Sequence, residues 1–98
     1  MNEKVLTRQF MKVEEILDKR FSSKGLPYSV TSLIQRDIKI FHNDSDVRIY
    51  LYTYSAMRHE IQLVGRDFKT LRNFFIDTLS STEEIATRLE KEAIQTYE

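Results

Sequence analysis

The chain has 98 residues, with 15 basic and 15 acidic side chains, two glycines, one proline and no cysteine. This describes one globular domain and excludes a disordered chain, which would carry fewer apolar residues than the 41% found here and a net charge far from zero. The lack of cysteine removes disulfide frameworks, thiolate metal sites and thiol nucleophiles together, and a net charge of zero counts against the broad basic surface that duplex DNA requires.

Leu6, Phe10, Val13, Leu17 and Phe21 recur at steps of four and three, which places them on one stripe of a helix predicted from about Glu3 to Ser23. Asn2 is its predicted cap, Glu15 and Lys19 pair four apart on its wet side, and Gly25 with Pro27 ends it. From Leu33 to Val64 the period changes to two and predicts three strands. The first sets Ile34, Ile38 and Ile40 against Gln35, Asp37, Lys39 and Phe41, with Arg36 marking a bulge or an edge. The second sets Val47, Ile49, Leu51 and Thr53 against Arg48, Tyr50, Tyr52 and Tyr54. The third turns Ile61 and Leu63 inward and Glu60, Gln62 and Val64 outward. Polar turns at His42 to Asp46 and Ser55 to Arg58 join them into a meander, while Pro27 to Ser32 fits either a strand extension or one helical turn.

Asp67 is placed to cap a second helix whose stripe is Phe68, Leu71, Phe75 and Leu79. Ser81, Thr82, Glu83 and Glu84 read as a capping box that starts a further helix bearing Ile85, Ala86, Leu89 and Ala93, with a break near Ser80. The expected fold class is therefore α+β: a three-stranded antiparallel meander flanked by an N-terminal helix and one or two C-terminal helices, α-β-β-β-α.

No run approaches the roughly 18 apolar residues of a membrane span, and Met1 to Val5 lacks the apolar core of a signal peptide, so a cytoplasmic location is expected. Glycine-rich phosphate loops cannot be built from Gly25 and Gly65. His42, Asp44 and Asp46 sit together, but these residue types also serve a hydrated turn; His59 beside Glu60 reads as a surface pair. No catalytic residue, metal site or cofactor is expected.

The row Arg48, Tyr50, Tyr52 and Tyr54, with Phe41 on the neighbouring strand, is the candidate partner-binding surface, because tyrosine and arginine serve as interface anchors. The same row with Lys39 and Arg58 offers rings for base stacking and cations for phosphate. Arg66, Lys69 and Arg72 cluster at the start of the predicted second helix as a candidate anion site. The order helix, three strands, helix resembles that of double-stranded-RNA-binding domains. The lysine run followed by small residues that such domains carry is absent from Arg66 to Leu71, so only element order is shared.

These features predict a non-enzymatic regulator, inhibitor or adaptor that binds a protein through the tyrosine-bearing face or the C-terminal helix, and that can pair as a homodimer. The alternative is a nucleic-acid-binding module using the same face.

Overall fold

A computed structural model describes residues 3–33, 37–42, 45–55, 58–65, 69–76 and 81–97. The chain order is α1 (Glu3–Ser23), β1 (Tyr28–Leu33), β2 (Asp37–His42), β3 (Arg48–Ser55), β4 (Arg58–Val64), β5 (Thr70–Ile76) and α2 (Thr82–Tyr97). Among the described residues, every strand pairs antiparallel with its chain neighbour, giving one five-stranded sheet in the order β1-β2-β3-β4-β5.

The α+β class and the antiparallel meander hold; the strand number is corrected from three to five. The first addition is β1, where Tyr28 to Leu33 pairs with Asp37 to His42, so the segment left open in the sequence is a strand. The second is β5, which occupies residues assigned to a second helix. Of the stripe proposed for that helix, Leu71 is 61% exposed and Phe75 45% exposed, while Asp67, Phe68, Leu79 and the break at Ser80 lie outside the described residues. With five strands and no helix over 70–76, the element order no longer parallels that of a double-stranded-RNA-binding domain.

The end of α1 follows from one glycine. Gly25 adopts φ 67°, its N–H donates to the Ser22 carbonyl at 3.1 Å, and the Leu26 N–H reaches back to the Phe21 carbonyl at 2.9 Å. This paired closure satisfies carbonyls that the last helical turn would leave orphaned. At the other end of the chain, the Ser81 Oγ accepts the Glu84 N–H at 3.2 Å, so the predicted cap of α2 is present.

Both helices lie on one face of the sheet. Phe10, Val13, Leu17 and Phe21 of α1 and Ile85, Ala86, Leu89 and Ala93 of α2 form one core with Val30, Ile38, Ile40, Ile49, Leu51, Ile61 and Leu63. The apolar stripe of α2 is thus consumed inside its own domain, which removes it as a seam for another chain. Glu90 joins the helices: its carboxylate accepts from Arg20 at 3.1 Å and from Lys24, both near the end of α1. The Tyr97 hydroxyl donates toward the carbonyls of Ile40 at 3.0 Å and Val47 at 2.8 Å, pinning the last turn of α2 to the β2–β3 end of the sheet. Ile34 and the bulge expected at Arg36 fall outside the described residues, as do the Asn2 cap and the turn residues Asn43, Ala56 and Met57.

Candidate functional site

Strand alternation sends Ile49, Leu51 and Thr53 of β3 into the core and leaves Arg48, Tyr50, Tyr52 and Tyr54 on the face opposite the helices. Cross-strand register then assembles that outer face in rows. Phe41, Arg48 and Val64 lie abreast; Lys39, Tyr50, Gln62 and Asn73 form the next row; Asp37, Tyr52, Glu60 and Phe75 the third. A bulge between Thr53 and Ser55 offsets Tyr54 beyond the third row.

The phenol rings are not sealed beneath α2. Tyr50 and Tyr52 are half-buried by their neighbours on the sheet and stack on each other with centroids 5.9 Å apart and planes 11° from parallel, whereas Tyr54 is 57% exposed. Cations lie over the outer rings: the Lys39 Nζ is 5.1 Å from the Phe41 centroid and the Arg58 guanidinium 4.5 Å from that of Phe75. Tyr54 and Phe75 approach to 6.4 Å, so the aromatic surface continues from β3 across to β5.

Glu60 is the polar centre of the face. It is 5% exposed and accepts from the Tyr54 hydroxyl at 2.7 Å and from the Asn73 side-chain amide at 2.8 Å. Burial alone would raise its carboxyl, but these hydrogen bonds, with one from Gln62 and the charge of Arg58, outweigh it and hold the group below its ordinary range. The same bond to Glu60, more than any other influence, raises the Tyr54 hydroxyl. Burial also raises Tyr52, assisted by the nearby charges of Asp37, Tyr50 and Glu60. Asp37 itself is raised by burial, and its Oδ1 has no hydrogen-bond partner among the described residues.

The structure therefore brings Phe41, Arg48, Tyr50, Tyr52, Tyr54, Lys39 and Arg58 onto one surface. The proposed anion cluster does not form at a helix start. Lys69 precedes a strand, and its carbonyl accepts the Gly65 N–H at 2.9 Å. Arg72 points to the helix side, where it donates to Glu92 at 2.9 Å and stands 5.3 Å from the Phe74 ring. Arg66 lies outside the described residues. Phe75 and Asn73 are members of the outer face that the sequence reading did not include, though their alternation with Phe74 and Ile76 carries the signal; Glu60 faces outward as expected but was not among the candidate binding residues.

His59 is also corrected. It is 1% exposed and faces the core, on the opposite side of the sheet from Glu60, because Ile61 and Leu63 fix the phase of β4. Its Nδ1 lies 2.9 Å from the Thr53 Oγ1, its Nε2 has no hydrogen-bond partner among the described residues, and burial lowers its pKa. The ring helps to wall a cavity of about 150 Å³ under α2, together with Leu51, Ile61, Ile76, Ile85 and Leu89. His42 packs its ring 5.5 Å from Tyr28 and 5.7 Å from Tyr97, Asp44 falls outside the described residues, and no group of three metal-ligating side chains occurs among the described residues. Among the described residues, no helix is long and apolar enough to cross a membrane. In comparisons with models of known protein families, with curated proteins and with solved structures, the chain matches none.

Proposed function

We propose that this chain is a small non-enzymatic protein-binding module, a regulator, inhibitor or adaptor, that docks its partner on the outer face of the sheet. The observation that carries this reading is the separation of faces. Both helices pack on one side, while Tyr50, Tyr52, Tyr54 and Phe75 remain on the other without a covering element among the described residues. Rings of this kind supply rigid contact area at little cost in side-chain freedom, and Arg48 adds a directional donor. The mechanism that fits is occlusion or scaffolding of the docked protein.

The charge pattern favours a protein over a nucleic acid. Lys39 and Arg58 rest over rings, and Asp37 and Glu60 stand among the tyrosines, so a phosphate backbone would meet carboxylates as well as cations.

The test compares the wild-type chain with Tyr50→Ser/Tyr52→Ser, a pair of half-buried sites on the outer face, after circular dichroism has shown the fold intact. Affinity capture from cells of the source should retain a discrete protein on wild type, resist nuclease treatment and fail with the double variant. Equal capture by both chains refutes the reading. So does steeply salt-dependent binding of single-stranded or duplex oligonucleotides that the double variant loses, the behaviour of a nucleic-acid module.

A further inference from the structure

The outermost strand of a sheet offers its free backbone hydrogen-bonding groups to another strand unless something guards them. The two edges here are guarded unequally. β1 follows Pro27, and α1 packs against it. β5 reads Thr70-Leu71-Arg72-Asn73-Phe74-Phe75-Ile76, with no proline, lysine or carboxylate, and its one charge is drawn to the helix side by Glu92. Among the described residues no element pairs with the outer edge of β5, and exposed Leu71 and Phe75 add apolar surface beside it.

The strand is also complementary to itself about Asn73. Antiparallel pairing of two copies with Asn73 on the twofold axis sets Thr70 against Ile76, Leu71 against Phe75 and Arg72 against Phe74. On the outer face, two Leu71–Phe75 apolar pairs then flank a pair of Asn73 amides able to hydrogen-bond. On the helix side, each Arg72 guanidinium meets the Phe74 ring of the second copy, a cation beside a ring. Neighbouring registers lose these matches: an axis at Arg72 opposes two guanidiniums, and one at Phe74 sets Asn73 against Phe75. The irregularity opposite Leu63 and Val64 makes Leu71 the extra residue between Thr70 and Arg72, so Arg72 to Ile76 keep regular pairing with β4 and the Leu71–Phe75 contact is made from the bulge at one end of the strand.

From this we infer that β5 is a self-association edge, through which a second copy of the chain continues the sheet in the antiparallel sense. The twofold axis keeps both outer faces on the same side of the joined sheet. The two surfaces share Phe75, but Tyr50 and Tyr52, the sites substituted to test the docking face, lie on β3, so either reading can fail without the other.

The chain contains no cysteine, and Asn73→Cys therefore places a single thiol on the axis. Opposed Cα atoms in an antiparallel pair sit about 4.5–5.5 Å apart, within disulfide reach. Mild oxidation should convert Asn73→Cys into a covalent dimer and leave Thr70→Cys, which faces Ile76, uncrosslinked. The wild-type sedimentation coefficient should rise with concentration. The double variant Leu71→Lys/Phe75→Lys, at two exposed sites, opposes like charges across the junction and should sediment as a folded monomer. A wild-type chain that remains monomeric at its highest soluble concentration overturns the inference. A dimer that survives the double substitution, or Thr70→Cys crosslinking as readily as Asn73→Cys, does so too.

Discussion

Replacing Glu90 with glutamine should separate α1 from α2 energetically while leaving side-chain volume almost unchanged. The carboxylate keeps 12% of its side-chain surface in water, whereas its partners Arg20 and Lys24 keep 31% and 50%. At 3.1 Å and an effective dielectric constant of about 20, the gross attraction to the Arg20 guanidinium is about 5 kcal/mol. Most of that is offset by desolvation of the carboxylate and by the hydration that the half-exposed cations recover when released, so the net loss should be about 1–2 kcal/mol. In a domain of this length, each kcal/mol lowers the melting temperature by about 4–8 °C. The pH dependence supplies an independent check. Burial would raise the Glu90 carboxyl, but hydrogen bonds from Lys24 and Arg20 and their charges hold it below its ordinary value of 4.5. A carboxylate depressed in the folded state stabilises fully above its unfolded pKa and ceases to do so as pH falls through the folded one. The gap between wild type and Glu90→Gln in urea unfolding should therefore be full at neutral pH and close below 4.5. A gap under about 0.5 kcal/mol at neutral pH, or one that persists unchanged near pH 3, would refute the reasoning.

Two further outcomes follow from single residues. Gly25→Ala should cost about 1–2 kcal/mol, because φ 67° is strained for a side chain while nothing lies within 4 Å of the added Cβ; Gly25→Asn should lose less, and equal stability of the alanine variant in urea would contradict this account. His59 is held neutral by burial, with a folded pKa below 6.5, so protons bind the unfolded chain more readily as pH falls below that value. Wild-type stability should decline as pH falls below 6.5, a decline that His59→Leu lacks; identical slopes in paired denaturation series would count against it.

The elements that could be read from sequence are those whose local and tertiary signals agree. In α1, the apolar spacing from Phe10 to Phe21, the Glu15–Lys19 pair and Gly25 all point to the same helix, and the structure ends it at Ser23. In β3, inward Ile49, Leu51 and Thr53 alternate cleanly with outward Tyr50, Tyr52 and Tyr54, so the candidate face could be drawn without coordinates. β5 could not, because an edge strand in this position carries apolar residues on both sides. Leu71 and Phe75 face outward and Phe74 and Ile76 inward, and the four-residue step from Leu71 to Phe75 imitates a helical stripe. The run Phe74, Phe75, Ile76 has the β-preference that outweighs that spacing. Arg72 followed the same error, since a helix start would have made it part of a cationic cluster, whereas the strand delivers it to Glu92. His59 was misread because its neighbour in sequence, Glu60, faces the other side of the sheet; counting back two residues from Ile61 places the imidazole in the core.

Because α2 follows all five strands in the chain and contributes Ile85, Ala86, Leu89 and Ala93 to the cover of the sheet, the order of synthesis has a consequence. Hairpins between successive strands can zip up as they leave the ribosome, since each contact is local. Until α2 emerges, a nascent chain would present Ile49, Leu51 and Ile61 to water or to a chaperone, and release before that point would leave a sticky, half-roofed intermediate.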